Sequence, residues 1–111
     1  MRLATLYSIL LSLLLACPVM AAEKEIKAGF LYVSPVGDGG WTFAHDNARK
    51  AIEQEFGDKV QTSFVEKVPE SSDAERVLRD MASQGNQLVF GTTFGYMESM
   101  VKVARDFPEV K

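Results

Sequence analysis

The sequence predicts an α/β fold, a parallel three-stranded sheet in the order β-α-β-α-β-α, preceded by a signal-peptide helix. Three observations lead there. Short apolar runs alternate with amphipathic stretches of helical period. Glycine and proline close each cycle, at Ser34-Pro35, Gly57, Pro69, Gly85 and Pro108. A separate apolar run stands ahead of the first cycle, at the N-terminus.

That leading segment is MRLATLYSILLSLLLACPVMAAEKE. Arg2 and the free amine make a short positive end. Leu3 to Ala16 is apolar but shorter than the ~20 residues that a membrane span needs. Pro18 breaks the helix, and Val19-Met20-Ala21 places small or modest residues at a cleavage site. The pattern is a secretory signal over 1–21, leaving 22–111 as the mature chain. Cys17, in Leu14-Leu15-Ala16-Cys17, also resembles a bacterial lipobox. Leucine at the second place before it and proline after it fit that motif poorly, so cleavage after Ala21 is favoured. Lipidation at Cys17 would instead tether the protein to a membrane without spanning it. Either route exports the mature chain to the periplasm or another extracytoplasmic space.

Ile26 to Val33 is a mostly apolar run of strand length and opens the first cycle. Val36-Gly37-Asp38-Gly39-Gly40 is a turn. Trp41 to Phe56 reads as a helix, with Phe43, Ala44, Ala48, Ala51, Ile52 and Phe56 on one stripe, Thr42 as N-cap and Gly57 after its end. Val60 to Val65 alternates as a strand, with Val60, Thr62 and Phe64 on one side. Ser72 or Asp73 caps a helix reaching about Gln84, with Ala74, Val77, Leu78 and Met81 inward. Gln87 to Thr92 is the third strand. Gly95 to Asp106 is the third helix, with Met97, Met100, Val101 and Ala104 inward. Such a rhythm calls for right-handed crossovers and a sheet with an open edge.

Composition excludes several classes. A length of 111 residues allows one small domain. With 47% hydrophobic and 24% charged residues the chain is globular rather than disordered. Twelve basic against fifteen acidic residues give a net charge of -3, and no basic run exceeds the pair Arg49-Lys50, which argues against nucleic acid as a partner. One cysteine and one histidine exclude an internal disulfide and the usual zinc spacings. No serine, cysteine or lysine sits at a recognisable nucleophile elbow, and adjacent His45-Asp46 on a helix do not face each other. The reading is therefore a non-enzyme without cofactor.

Ligands of open parallel sheets bind beyond the carboxyl ends of the strands. For the strand order 2-1-3, the loops Ser34–Trp41 and Thr92–Tyr96 face one crevice. Gly37-Asp38-Gly39-Gly40 lacks the third glycine of a dinucleotide loop and the lysine of a triphosphate loop. Its glycines either permit positive φ or let the backbone approach a polar ligand. Asp38 either accepts bonds from a ligand or caps the helix. Trp41 either packs inward or offers a stacking face, and Phe94 either stacks or staples the next helix. Tyr96 follows in the same loop. Glu53 and Glu55 read as solvated helix surface.

Two blocks carry a family resemblance. Ala28-Gly-Phe-Leu-Tyr-Val-Ser-Pro-Val-Gly-Asp-Gly-Gly-Trp-Thr-Phe-Ala-His-Asp and Val89-Phe-Gly-Thr-Thr-Phe-Gly-Tyr-Met, the latter followed by Val101-Lys-Val-Ala-Arg-Asp-Phe-Pro, resemble the basic membrane protein family of ABC-transporter substrate-binding proteins. The resemblance runs from about Ile26 to Lys111. It implies a periplasmic-binding-protein-like (Rossmann-like) lobe of type I, of which this chain supplies the N-terminal part and one wall of the cleft. It implies a purine base or nucleoside as ligand, an ABC permease as partner, and a monomer at full length. By the same resemblance Trp41 and Phe94 are stacking residues, with Asp38, Gly40, His45 and Thr93 as further ligand contacts. Gly-Asp-Gly-Gly-Trp departs from the aspartate–asparagine segment of some relatives, which puts ribose recognition in doubt. The alternatives are a sensor lobe presenting a solute to a membrane receptor, and a small flavodoxin-like enzyme.

Overall fold

The computed structural model describes residues 21–111. The signal segment up to Met20, with Cys17, lies outside the described residues. Strand β1 spans Ile26–Leu31, helix α1 Trp41–Phe56, β2 Val60–Val65, α2 Ser72–Ser83, β3 Leu88–Gly91 and α3 Met97–Asp106. Single 3-10 turns, Gly57–Lys59 and Phe94–Tyr96, precede β2 and α3. The three strands are parallel in the order β2-β1-β3, so the two ligand-side loops do leave neighbouring strands. Among the described residues no helix is long and apolar enough to cross a membrane.

Alternation along β1 divides the interior. Leu31 faces α2 and α3, where it joins Val68, Ala74, Val77, Leu78, Met81, Tyr96 and Val103 in the larger core. Ala28, Phe30 and Tyr32 face the other way, toward α1, with Val36, Ile52 and Leu88. Phe30 stacks on Phe90 of β3, with ring centroids 4.8 Å apart.

The face that α1 turns to the sheet differs from the expected apolar stripe. Its buried residues are Thr42, Asp46 and Arg49, while Phe43 and Phe56 are 45% and 50% exposed. Ala44, Ala48 and Ala51 are exposed too, and Ile52 is half-buried. The sheet explains this choice. It presents the Tyr32 hydroxyl, the Thr62 hydroxyl and the Phe64 ring, and a carboxylate and a guanidinium satisfy all three. Tyr32 donates to Asp46 Oδ1 (3.3 Å), Arg49 Nη1 donates to Thr62 Oγ1 (2.8 Å), and the guanidinium lies 4.8 Å over Phe64. Glu53, expected in solvent, joins this network through Arg49 Nη1 (3.0 Å) and Thr62. Glu55 is exposed as expected.

Other boundaries shift by a residue or two. Ser71, not Ser72 or Asp73, caps α2, its hydroxyl accepting Asp73 N–H (3.3 Å). The inward residues of α2 are those expected. In α3 Val103 is buried and Met100 partly so, and Tyr96 is buried in the 3-10 turn just before the helix. Met97 and Val101 are half exposed and Ala104 is exposed, because the 3-10 turn rotates the helix entry away from the expected stripe. Among the described residues β2 has no strand on its outer side, which is the open edge expected, while the outer edge of β3 is partly covered. Lys111 donates to Gln87 O (2.8 Å) and accepts from Val89 N–H (2.7 Å), the pattern of a parallel bridge.

Candidate functional site at the carboxyl ends of the strands

The loop after β1 is organised by Asp38. Its Oδ1 accepts the N–H groups of Gly40 (2.8 Å) and Phe43 (3.0 Å). Its Oδ2 accepts Thr42 N–H (3.2 Å) and the Ser34 hydroxyl (2.6 Å). The helix N-cap position is Gly40, and Thr42, expected there, lies inside the first turn with its side chain fully buried. Thr42 is instead a relay: its Oγ1 accepts Ser34 N–H (3.3 Å) and contacts Ser34 Oγ (2.6 Å). Since Ser34 gives its proton to the carboxylate, Thr42 gives its own to Ser34. The Ser34 hydroxyl and then the Gly40 and Phe43 N–H groups hold the Asp38 carboxyl well below the usual carboxylate range. Asp38 therefore caps the helix, and four donors occupy the roughly four lone-pair positions of a carboxylate.

Trp41 begins α1 and is 60% exposed. Its indole Nε1 donates to the Thr92 carbonyl beyond β3 (2.8 Å). Its ring meets His45, one turn on, edge to face at 4.9 Å between centroids. Thr92 is held in turn to β1, its hydroxyl donating to Leu31 O (2.9 Å). Phe94, two residues later, is 83% exposed, so it staples nothing among the described residues.

The second loop, between β2 and α2, contributes more than its sequence suggested. Glu66 Oε2 accepts Val36 N–H (2.7 Å), bracing the first loop, and Glu70 bonds the Thr93 hydroxyl, bracing the third. Gly95 makes room for the Glu70 side chain, which a Cβ there would strike. Tyr96 is not a crevice residue. It is fully buried, donates to Val68 O (2.6 Å), and its hydroxyl is pushed up to about 12 by burial and then by Glu70.

The structure thus brings Asp38, Gly40, Trp41 and His45 into one cluster at the start of α1 and joins it to Thr92. Thr93 and Phe94 follow directly, with Thr93 turned to Glu70. Ser34, Thr92, Glu66 and Glu70 were not singled out from sequence, and Thr42 only as an N-cap. Their one signal was position, at or just beyond the carboxyl ends of strands. A depression of about 330 Å³ flanks Phe94 on the side of Glu70, Ser71 and Lys102. A separate apolar gap between α2, α3 and β3, lined by Leu78, Met100 and Val110, lies away from these loops.

The family model for PnrA-like ABC transporter substrate-binding proteins matches residues 25–111. The chain belongs to this family. A purine-binding protein of Brucella abortus is 53% identical over 90 residues, which are 81% of this chain and 26% of that protein. A putative ABC transporter glucose-binding protein of Haloferax volcanii is 42% identical over 86 residues, 78% of this chain and 22% of that protein. Among solved structures, a solute-binding protein of an ABC transporter system from Conexibacter woesei superposes with a TM-score of 0.69 at 22% identity, over 77% of this chain and 27% of that one. Another, from Aeropyrum pernix, gives 0.67 at 27% identity, over 78% and 23%. The chain spans about a quarter of the length of these relatives. The two solved relatives are solute-binding proteins of ABC transporter systems.

Proposed function

We propose that the chain forms one wall of the cleft of an exported solute-binding protein that captures a purine and delivers it to an ABC permease. The observation that carries this reading is Trp41, a broad aromatic face left open at the crevice while its polar edge is bonded to Thr92. Such a face suits a planar heterocycle, and Phe94 offers a second one. The 53% identity to a purine-binding protein supports the same ligand class. The saturated Asp38 carboxylate has no lone pair left for ribose hydroxyls, which favours a bare base over a nucleoside. Gly40, whose N–H is also spent on Asp38, shapes the crevice by its backbone only. Closure of a second lobe over the ligand would signal occupancy to the permease. Export rests on the N-terminal signal, with cleavage after Ala21 and lipidation at Cys17 as the rival route.

The test is calorimetric titration of the complete gene product with adenine, guanine, adenosine and glucose. The expected result is sub-millimolar binding of a purine, tighter for a base than for its nucleoside. Absence of purine binding below millimolar concentration overturns the assignment. Glucose binding in its place would move this chain toward the ligand named for the Haloferax relative.

A further inference from the structure

His45, a ligand contact by family resemblance, packs in the structure against Trp41. His45 lies one turn beyond Trp41 on α1, so the two side chains stack along one face. The imidazole is half-buried and meets the indole ring at 63° with 4.9 Å between centroids. Trp41 is therefore fixed at two places: its Nε1 by the Thr92 carbonyl, its ring by His45. Thr92 is itself anchored to β1 by its hydroxyl and by its N–H, both to Leu31 O. Phe94 has no aromatic neighbour among the described residues and is far more exposed. One aromatic wall is thus held in place and the other stands free.

We infer that His45 is a positioning residue for the ligand site, acting through Trp41. It fixes the indole plane before the ligand arrives. The inference rests on the proposed stacking role of Trp41. A hydrogen bond at Nε1 alone leaves the ring free to pivot about that bond. An edge-to-face neighbour removes the pivot, because such pairs prefer particular interplanar angles. A side chain already immobilised has little left to lose on binding, so preorganisation raises affinity without a new contact.

The experiment uses the complete gene product labelled with 5-fluorotryptophan, the Trp41 fluorine resonance being assigned by its loss in Trp41→Phe. His45→Ala is expected to shift and sharpen that resonance and to weaken adenine binding about two- to tenfold, with the thermal midpoint nearly unchanged. His45→Phe, which keeps a ring, is expected to restore most of both. If His45→Ala fails to fold, His45→Gln removes the ring while keeping a polar side chain, and the same shift is expected. An unchanged Trp41 resonance in the ring-less variant overturns the inference, as does unchanged adenine affinity where the parent binds adenine. If the parent binds no purine, the ligand reading falls alone, and the resonance decides whether His45 positions Trp41.

Discussion

Arg49 Nε donates to Asp46 Oδ1 at 2.8 Å on the inward face of α1, and both residues are buried. Lys50 adds a second cation at Oδ2 (3.0 Å), and the Tyr32 hydroxyl leans on the same carboxylate. Burial alone would raise the Asp46 pKa. The bonds from Arg49 and Lys50 outweigh it and hold the carboxyl below its ordinary range. The helix that carries Trp41 is thus seated on the sheet by polar as well as apolar contacts.

Removal of Asp46 should therefore cost more than an ordinary surface change. Asp46→Ala leaves a buried guanidinium without its main partner, a loss on the order of 3–5 kcal/mol for buried pairs. Arg49 keeps Glu53 and Thr62, which places the expected value near the low end. Urea unfolding followed by circular dichroism measures it. A change within the range of a typical surface substitution would show that the pair contributes little.

Acid should weaken the same seat. The folded-state pKa of Asp46 lies below its unfolded value of 3.8. Its contribution is fully present above that value and is lost as pH falls through the folded pKa. Asp38 shifts in the same direction. The thermal midpoint is expected to be flat near neutrality and to fall below pH 3.8. Asp46→Asn should flatten part of that fall.

Alkali acts on two buried phenols. Burial, then the charge of Asp46, pushes the Tyr32 hydroxyl up to about 12, and Tyr96 reaches about 12 as well. The unfolded chain releases these protons near 10. Stability from the neutral phenols is complete below that value and is lost as pH rises from 10 toward 12. Tyrosinate absorbance should therefore appear together with loss of the circular dichroism signal. Ionisation of both phenols in a chain that keeps its fold would contradict the buried hydroxyls.

Trp41 has two separable properties, a stacking face and an anchored edge. Trp41→Phe keeps a ring but loses the bond to Thr92 O. Trp41→Ala removes both. Base stacking on an aromatic side chain is worth about 1–3 kcal/mol by alanine substitution. Purine affinity should accordingly fall about 5- to 150-fold in Trp41→Ala and less in Trp41→Phe. Equal affinities in the three proteins would place the ligand elsewhere.

Much of the architecture was legible in the sequence because period and punctuation act locally. The strand–helix order and the inward face of α2 follow from apolar spacing, glycine and proline, whereas the 2-1-3 order, assumed for placing the loops, is seen only in the sheet itself. The inward face of α1 did not, because Asp46 and Arg49 are chosen by hydroxyls arriving from β1 and β2. The rotated entry of α3 depends on Tyr96 reaching Val68, 28 residues earlier in the chain. In the candidate site the glycine turn and the two aromatics were visible as residue types. Of the partners that fix them, Ser34 lies four residues before Asp38 in the same loop, while Thr92 and Glu70 lie on other loops, and none carries a local pattern of its own.

Asp38 gives the sharpest separation between capping and ligand binding. Its carboxylate accepts three backbone N–H groups and one hydroxyl, and all of these bonds stabilise the ionised form. Asp38→Asn keeps one acceptor oxygen and loses the other, so part of the first turn loses its cap. Asp38→Ala frees every donor at the start of α1 and leaves the Ser34–Thr42 pair without its acceptor. The thermal midpoint should fall in the order wild type, Asn, Ala. If Asp38 serves the fold alone, adenine affinity at a temperature where each variant is folded should change little in Asp38→Asn. A loss of binding in Asp38→Asn with an unchanged midpoint would reverse the assignment, making the carboxylate a ligand contact rather than a helix cap.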